Sequence, residues 1–294
     1  MKKLLFVAML AAAVVAACKS NPGKEGKAPE KAPQIAPETE IEESPHVFTL
    51  GDTISYQTAK ISDVRSLKKG YQVSLEFDVQ YVEDERVSQE ARDSINAWIG
   101  DSVFNGKDFP AGSMQELADG MADRIATSFE EEIYDGDGDD EEDFFPEFGH
   151  TGNLDIYGVF TPVIYDGYIN YFVSGDEYHF GAAHGYHYVC PAVFSLETGK
   201  RLKETDLFIE GYQEYLTYLL DKYLQEGQEE EIMLFDGISP NDNYYITALG
   251  VTYVYNPYEI AAYCYGVIEV EIPWEELRPL LNPDFAALVF SDDE

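Results

Sequence analysis

The chain of 294 residues carries 56 acidic side chains against 19 basic ones, a formal charge of −37 at pH 7. Such a field repels polyanions, which excludes nucleic acid as a partner and favours encounter with a basic one. An apolar share of 45%, with 22 tyrosines and 17 phenylalanines, is ample for a folded core.

Residues 1–17 come first. Lys2 and Lys3 precede an unbroken apolar run from Leu4 to Val15, and Ala16-Ala17 lead directly into Cys18. The cationic start and the shortness of the run read as a cleavable export signal rather than a membrane span. Val15-Ala16-Ala17-Cys18 resembles a bacterial lipobox, which would make Cys18 the acylated first residue of the mature chain. The alternative is an ordinary signal cut nearby, with Cys18 incidental. No later stretch reaches 18 apolar residues, so the membrane contact expected is through this N-terminal lipid. Residues 18–46 form a tether: Pro22, Pro29, Pro33, Pro37 and Pro45 punctuate Lys and Glu, without Phe, Trp or Tyr. Lys19, in place of the aspartate that retains some lipoproteins at the inner membrane, favours a cell-envelope location at the outer membrane.

Residues 47–150 read as a first α+β module. A strand is expected around Ile54–Ile61 and a turn over Ser66–Gly70. From Tyr71 to Tyr81 apolar and polar residues then alternate strictly, the period of a half-buried strand. Val87, Ala91, Ile95, Trp98 and Ile99 recur at helical spacing, with Gly100 as the expected stop. Ser113 and Glu116 form a capping-box signature ahead of a helix bearing Leu117, Met121, Ile125 and Phe129 on one face. Ten acids and no base follow between Glu130 and Asp143. Asp135, Asp137 and Asp139 are spaced like the start of an EF-hand, but Asp140 stands where the turn glycine belongs and Pro146 where the bidentate acid belongs. A looser calcium site and a solvated acidic loop both remain open.

Residues 151–294 read as a second, strand-rich module. Asp155–Val163 and Tyr168–Val173 flank a Tyr165-Asp166-Gly167 turn, and Tyr186–Phe194 is a further strand. Phe208, Tyr212, Tyr215, Leu216, Leu219 and Tyr223 trace a helix. Tyr244–Ala248 and Val251–Tyr255 bracket Leu249-Gly250 as a hairpin. Val267–Ile272 is the last strand, and Pro273 opens a helix over Trp274–Leu281. The class expected is α+β: a mostly antiparallel sheet with packed helices, in two closely associated modules.

Three blocks carry a resemblance: Gly181-Ala182-Ala183-His184-Gly185 with Glu197-Thr198-Gly199-Lys200; then YVYNPYEIAAYCYG, Tyr253 to Gly266; then VEIPWEELRPLL, Val270 to Leu281. Their order and spacing resemble the exported domain of unknown function shared by RsiV-type, lysozyme-sensing anti-sigma factors and PdaC-type peptidoglycan deacetylases. The likeness spans about Leu154 to Leu281, and Thr53 to Asp143 resembles the module that usually precedes it. The family shows two glycines before its Ala-His-Gly, where this chain has Gly181 then Ala182. The resemblance implies an extracytoplasmic binding domain and carries over Ala183, His184, Gly185, Tyr258, Glu259, Ile260 and Gly266 as motif positions. It transfers no catalytic role.

The residues themselves allow several chemistries. His179, His184 and His187 lie close together behind Asp176 and Glu177, a set suited to zinc, yet no HExxH spacing accompanies them. No metal or other cofactor is assigned, and His184 reads as an imidazole tying two segments across a glycine-flanked turn. Tyr258 belongs to a tyrosine-dense region whose rings could hold a sugar or a protein surface, or simply fill a core. Asn256-Pro257 must end a strand, leaving Tyr258 and Glu259 in a loop, where Glu259 either serves a site or caps a local amide. Cys190 and Cys264 are either a disulfide or two ordinary thiols. Nucleophile elbows and phosphate loops are absent from the sequence. The function expected is therefore a lipid-anchored, non-enzymatic binding protein of the cell envelope, its ligand cell-wall glycan or a cationic lysozyme-like protein. The alternatives are an accessory enzyme acting on peptidoglycan and a calcium-dependent adhesion module.

Overall fold

The structure is a computed structural model that describes residues 47–107, 112–133, 150–227 and 232–290. Cys18, the tether and the calcium candidates Asp135, Asp137 and Asp139 lie outside the described residues.

The chain opens as an antiparallel hairpin of β1 (Tyr56–Ser66) and β2 (Gln72–Val82). Two helices, α1 (Gln89–Phe104) and α2 (Met114–Glu132), then carry it to β3 (Thr151–Tyr165), which runs parallel to β2. β4 (Tyr168–Tyr178) and β5 (Tyr186–Ser195) follow as an antiparallel meander, giving a five-stranded sheet in the order β1-β2-β3-β4-β5. Beyond it come α3 (Glu204–Leu207) and α4 (Gln213–Glu226). A three-stranded antiparallel sheet of β6 (Tyr244–Ile246), β7 (Gly250–Tyr255) and β8 (Ile268–Pro273) is closed by α5 (Trp274–Leu277) and α6 (Pro283–Val289). The fold is α+β and antiparallel except at β2–β3. No described helix is long and apolar enough to cross a membrane.

Alternation explains the first core. Val73, Leu75, Phe77 and Val79 of β2 are buried, and Ala91, Ile95 and Ile99 of α1 join them in one cluster with Ala118, Ala122, Ile125 and Phe129 of α2. Ser113 caps α2 as expected, its hydroxyl accepting from Glu116 N at 3.2 Å, while the Glu116 carboxylate reaches one residue beyond the cap and accepts from Gly112 N at 2.7 Å. Gly100 does not stop α1. It lies inside the helix, where a Cβ would stand 2.9 Å from Leu117 Cδ1, so the glycine lets α1 approach α2 closely. The stop is Asn105, in the left-handed region at φ 55°.

Two further expectations are corrected. The last helix does not run from Trp274 to Leu281; it makes one turn, and Asn282-Pro283 starts a new helix with Asn282 as its cap. Phe208 lies outside α4, because Gly211 at φ 83° turns the chain before Tyr212.

The two cores meet at β5. Tyr188, Cys190 and Phe194 belong to the first cluster, whereas Val193 belongs to the second, with Leu216, Leu219, Tyr244, Tyr253 and Trp274. The five-stranded sheet thus draws strands from both sides of residue 150, and its last strand is buried on both faces. Two asparagines bind the sheets together. The Asn170 side chain on β4 donates to Ile246 O at 2.8 Å and accepts from Ile246 N at 3.1 Å. The Asn256 side chain, just after β7, accepts from Val189 N at 2.7 Å and donates to Val189 O at 3.1 Å. Each amide thereby supplies the donor and acceptor that a neighbouring strand would offer.

Candidate functional site

The Asn256-Pro257-Tyr258-Glu259 segment is a tight turn. Glu259 N donates to Asn256 O at 3.0 Å, and Tyr258 sits third with φ 68°. Proline second and a positive φ third define the type II arrangement, whose third position ordinarily takes glycine or asparagine. A tyrosine there is strained, and it recovers nothing by burial because 54% of its surface is exposed. The turn is held from within: Asn256 N donates to Glu259 Oε2 at 3.0 Å, and Asn241 Nδ2 donates to Oε1 at 2.8 Å. Glu259 therefore caps a local amide and fixes the strained turn.

What the turn presents is an aromatic platform. His184, on the loop between β4 and β5, stacks on Tyr263 with ring centroids 3.8 Å apart and planes at 19°. Tyr258 and Tyr263 centroids lie 5.7 Å apart. His184 Nδ1 is 2.9 Å from Gly185 O, which can only accept, so Nδ1 carries the proton. Nε2 is then the acceptor facing the Tyr258 hydroxyl at 3.4 Å. Alongside, the chain at 233–235 follows the 260–265 segment: Met233 N donates to the Tyr265 hydroxyl at 3.3 Å and Phe235 N to Ile260 O at 2.9 Å. Met233, 77% exposed, and the exposed Phe235 and Tyr265 extend the platform into an apolar patch. Replacing Tyr258 by glycine should relieve the strain, so thermal denaturation of Tyr258→Gly is expected to show stability held or raised by up to about 1 kcal/mol. A Tm lower than that of the parent chain would show that the ring stabilises the fold.

The three histidines do not converge. His179 is buried between Glu132 at the end of α2, 2.7 Å from Nδ1, and Glu177 of β4, which contacts Nε2. Its ring lies flat on Phe129, centroids 4.7 Å apart. Burial pulls its pKa down, but the hydrogen bonds to Glu132 and Glu177 outweigh that and raise it to about 9. His187 pairs with Asp176 at 3.0 Å on the exposed side of β5. Among the described residues, no group of three or more His, Cys, Asp or Glu side chains could hold a metal ion. Cys190 is buried and Cys264 is exposed, and no disulfide joins them. Within the tyrosine-dense region Tyr171 and Tyr188 are buried in the first core, and Tyr188 fills the space left by Gly175 on β4.

On the other side of the strained turn opens a cleft of about 650 Å³, lined among others by Glu204, Tyr212, Asn241, Asp242 and Glu259. Sequence reasoning missed it, because Glu204 and Asp242 are unremarkable letters in so acidic a chain. The two are interlocked: Glu204 N donates to Asp242 Oδ1 and Asp242 N to Glu204 Oε1, each at 2.9 Å. The Tyr212 hydroxyl donates to Glu204 Oε2 at 2.7 Å, and Arg201 Nη2 donates to Asp242 O at 2.6 Å. Burial raises the pKa of the Glu204 carboxyl above the ordinary range, although the Tyr212 hydrogen bond works against it.

Fold and site thus define a two-sheet α+β protein with an exposed His–Tyr platform beside an acidic cleft. Residues 205–275 match the family described as Protein of unknown function (DUF3298). A solved structure of a DUF3298 family member from Bacteroides fragilis is similar at a TM-score of 0.71 and 20% identity, covering 83% of this chain and 100% of that one. A DUF3298 family protein from Pseudomonas aeruginosa is similar at a TM-score of 0.52 and 13% identity, covering 80% of this chain and 97% of that one. At these identities the likeness is one of fold. No curated protein matches the chain.

Proposed function

We propose that this chain is a lipid-anchored, non-enzymatic binding protein of the cell envelope. Its His184–Tyr258–Tyr263 platform holds cell-wall glycan or a cationic lysozyme-like protein that acts on it. The observation that carries the reading is the strained, exposed Tyr258: a tyrosine kept where glycine would cost less, with its ring beside a stacked His184–Tyr263 pair. Flat amphipathic rings offer contact area with little side-chain entropy to lose, which suits a sugar face or a protein surface. The resemblance to RsiV-type and PdaC-type domains supports an extracytoplasmic binding role, and the charge of −37 favours a basic protein partner. Acylation of Cys18 supplies the anchor, and incorporation of a fatty-acid probe that is lost in Cys18→Ala tests it.

Titration of the full chain with lysozyme and with soluble peptidoglycan fragments, at low and moderate salt, tests the binding role. Binding of one of them is expected to weaken roughly tenfold or more in His184→Ala and Tyr258→Ala, as for an interface anchor. If the ligand is lysozyme, affinity falls with salt. Binding of neither at either salt overturns the reading.

A further inference from the structure

Helices cover one face of the five-stranded sheet, where α1 and α2 pack on Val73, Leu75, Phe77 and Val79. The second sheet meets the opposite face at its β4–β5 end: Asn170 bonds Ile246, Phe172 packs edge-on against Tyr245, and Val193 enters the second core. Among the described residues, the rest of that face stays open. Tyr157 and Val159 point outward on it and are exposed, although β3 is the middle strand of five. Alternation ordinarily gives such positions to polar residues. An exposed tyrosine and valine at the centre of an open sheet therefore mark a contact surface.

The strand register adds a row of carboxylates. Glu76 of β2 lies opposite Asp155 of β3, Asp155 opposite Asp176 of β4, and Asp78 opposite Tyr157. Like charges directly opposite one another destabilise a sheet. Lys60 pairs with Asp78 at 2.8 Å and His187 with Asp176 at 3.0 Å, but among the described residues no basic side chain bonds Glu76 or Asp155. Burial first, then the charges of Asp176 and Glu76, hold the Asp155 carboxyl above its ordinary pKa. Burial likewise raises the Tyr157 hydroxyl, and the charges of Asp155, Glu76, Asp176 and Asp78 add to it, so the acids surround the exposed ring. The fold thus keeps an uncompensated repulsion around an apolar contact, at the centre of a sheet rather than at its edge.

We propose that this open sheet face docks a basic protein: Tyr157 and Val159 make the apolar contact, and Glu76, Asp155 and Asp176 receive its lysine or arginine side chains. Charge complementarity selects the occupant. A second copy of a chain of charge −37 would be repelled, and a neutral sugar would leave the row of like charges uncompensated. The face also leads towards the platform, because the strand that sets His187 opposite Asp176 leaves the loop carrying His184. The inference rests on the basic-protein arm of the proposed function and gives that partner a second contact beside the platform.

Binding kinetics of the full chain with lysozyme, at low and moderate salt, test the assignment. Asp155→Lys is expected to bind roughly tenfold weaker or more at low salt, chiefly through slower association. Its Tm should not fall, since the new ammonium stands between Glu76 and Asp176. Asp155→Asn should bind severalfold weaker yet melt higher at pH 7, because it relieves the repulsion; that gain in Tm should vanish in acid, where the carboxyl is protonated. Tyr157→Ala should weaken binding roughly tenfold, as for an interface anchor. Glu130→Lys, the same change of charge on exposed α2 across the sheet, should stay within about twofold of the parent chain. Equal weakening by Glu130→Lys and Asp155→Lys would overturn the docking face, since the attraction would then belong to the whole chain. Lysozyme binding that depends on Tyr258 but not on Asp155 or Tyr157 would overturn it while leaving the platform reading intact. Binding of peptidoglycan fragments alone, lost in Tyr157→Ala, would make the face a glycan surface and overturn the basic partner. Binding of neither probe would remove the proposed function itself.

Discussion

Replacing His179 by alanine is expected to cost about 3–5 kcal/mol, the largest effect of any single side chain here outside the apolar cores. The imidazole is the one group between Glu132 and Glu177, and Glu177 is only 5% exposed. Its removal leaves two carboxylates facing each other across a buried gap, and breaking such a set costs far more than a surface ion pair. At about 2–4 °C per kcal/mol for a domain of this size, Tm should fall by roughly 6–20 °C. Glu132→Gln should cost less, because it leaves a one-to-one pair of His179 with Glu177.

The pH dependence has a definite sign. The folded pKa of about 9 lies above the ordinary 6.5, so the protonated imidazole favours the folded state. That contribution is fully present below about pH 6.5 and is lost as pH rises through 9. The stability gap between the parent chain and His179→Ala, measured by urea denaturation, should therefore be widest near pH 6 and narrow towards pH 10. A gap that widened with pH would mean that the histidine is neutral in the fold.

Why this cluster escaped sequence reasoning is instructive. His179 was visible as one of three neighbouring histidines, a pattern that suggests a shared ligand. Its actual partner, Glu132, lies 47 residues away at the end of a helix, within a run of acids where no single glutamate stands out. Strand alternation and helix faces are local and were legible: Tyr71–Tyr81, the Asp166-Gly167 turn and the hairpin at Leu249-Gly250 all form. The errors fell where tertiary packing overrides a local signal, as at Gly100, which admits a neighbouring helix instead of ending its own. The platform was half legible. Both motif blocks could be named, but His184 and Tyr258 are 74 residues apart, and their meeting depends on β5 and β7 being held together.

That union predicts how stability and binding separate. Asn170 and Asn256 are 2% and 4% exposed, and each satisfies both backbone groups of one residue on the opposite sheet. Alanine at 170 orphans the buried N–H and C=O of Ile246 and should cost about 2–4 kcal/mol, whereas alanine at 256 orphans Val189 N but leaves Val189 O its second donor, Asn243 Nδ2 at 3.3 Å, and should cost about 1–3 kcal/mol. Asn256→Asp is a sharper probe, since its carboxylate can still accept from Val189 N but can no longer donate to Val189 O. Burying that charge raises its pKa, so the deficit of Asn256→Asp should shrink as the solution is acidified and the carboxyl regains a donor. Binding should divide the two alanine variants. Asn170 clamps β4 to β6, away from the platform, and Asn170→Ala should bind ligand like the parent chain at temperatures well below its Tm. Asn256 is the first residue of the strained turn, and its side chain fixes that turn against the strand that follows the His184 loop. Asn256→Ala should therefore weaken ligand binding roughly as Tyr258→Ala does, although it is expected to lose no more stability than Asn170→Ala. Equal binding by the two alanine variants would mean that the turn keeps its place without the clamp.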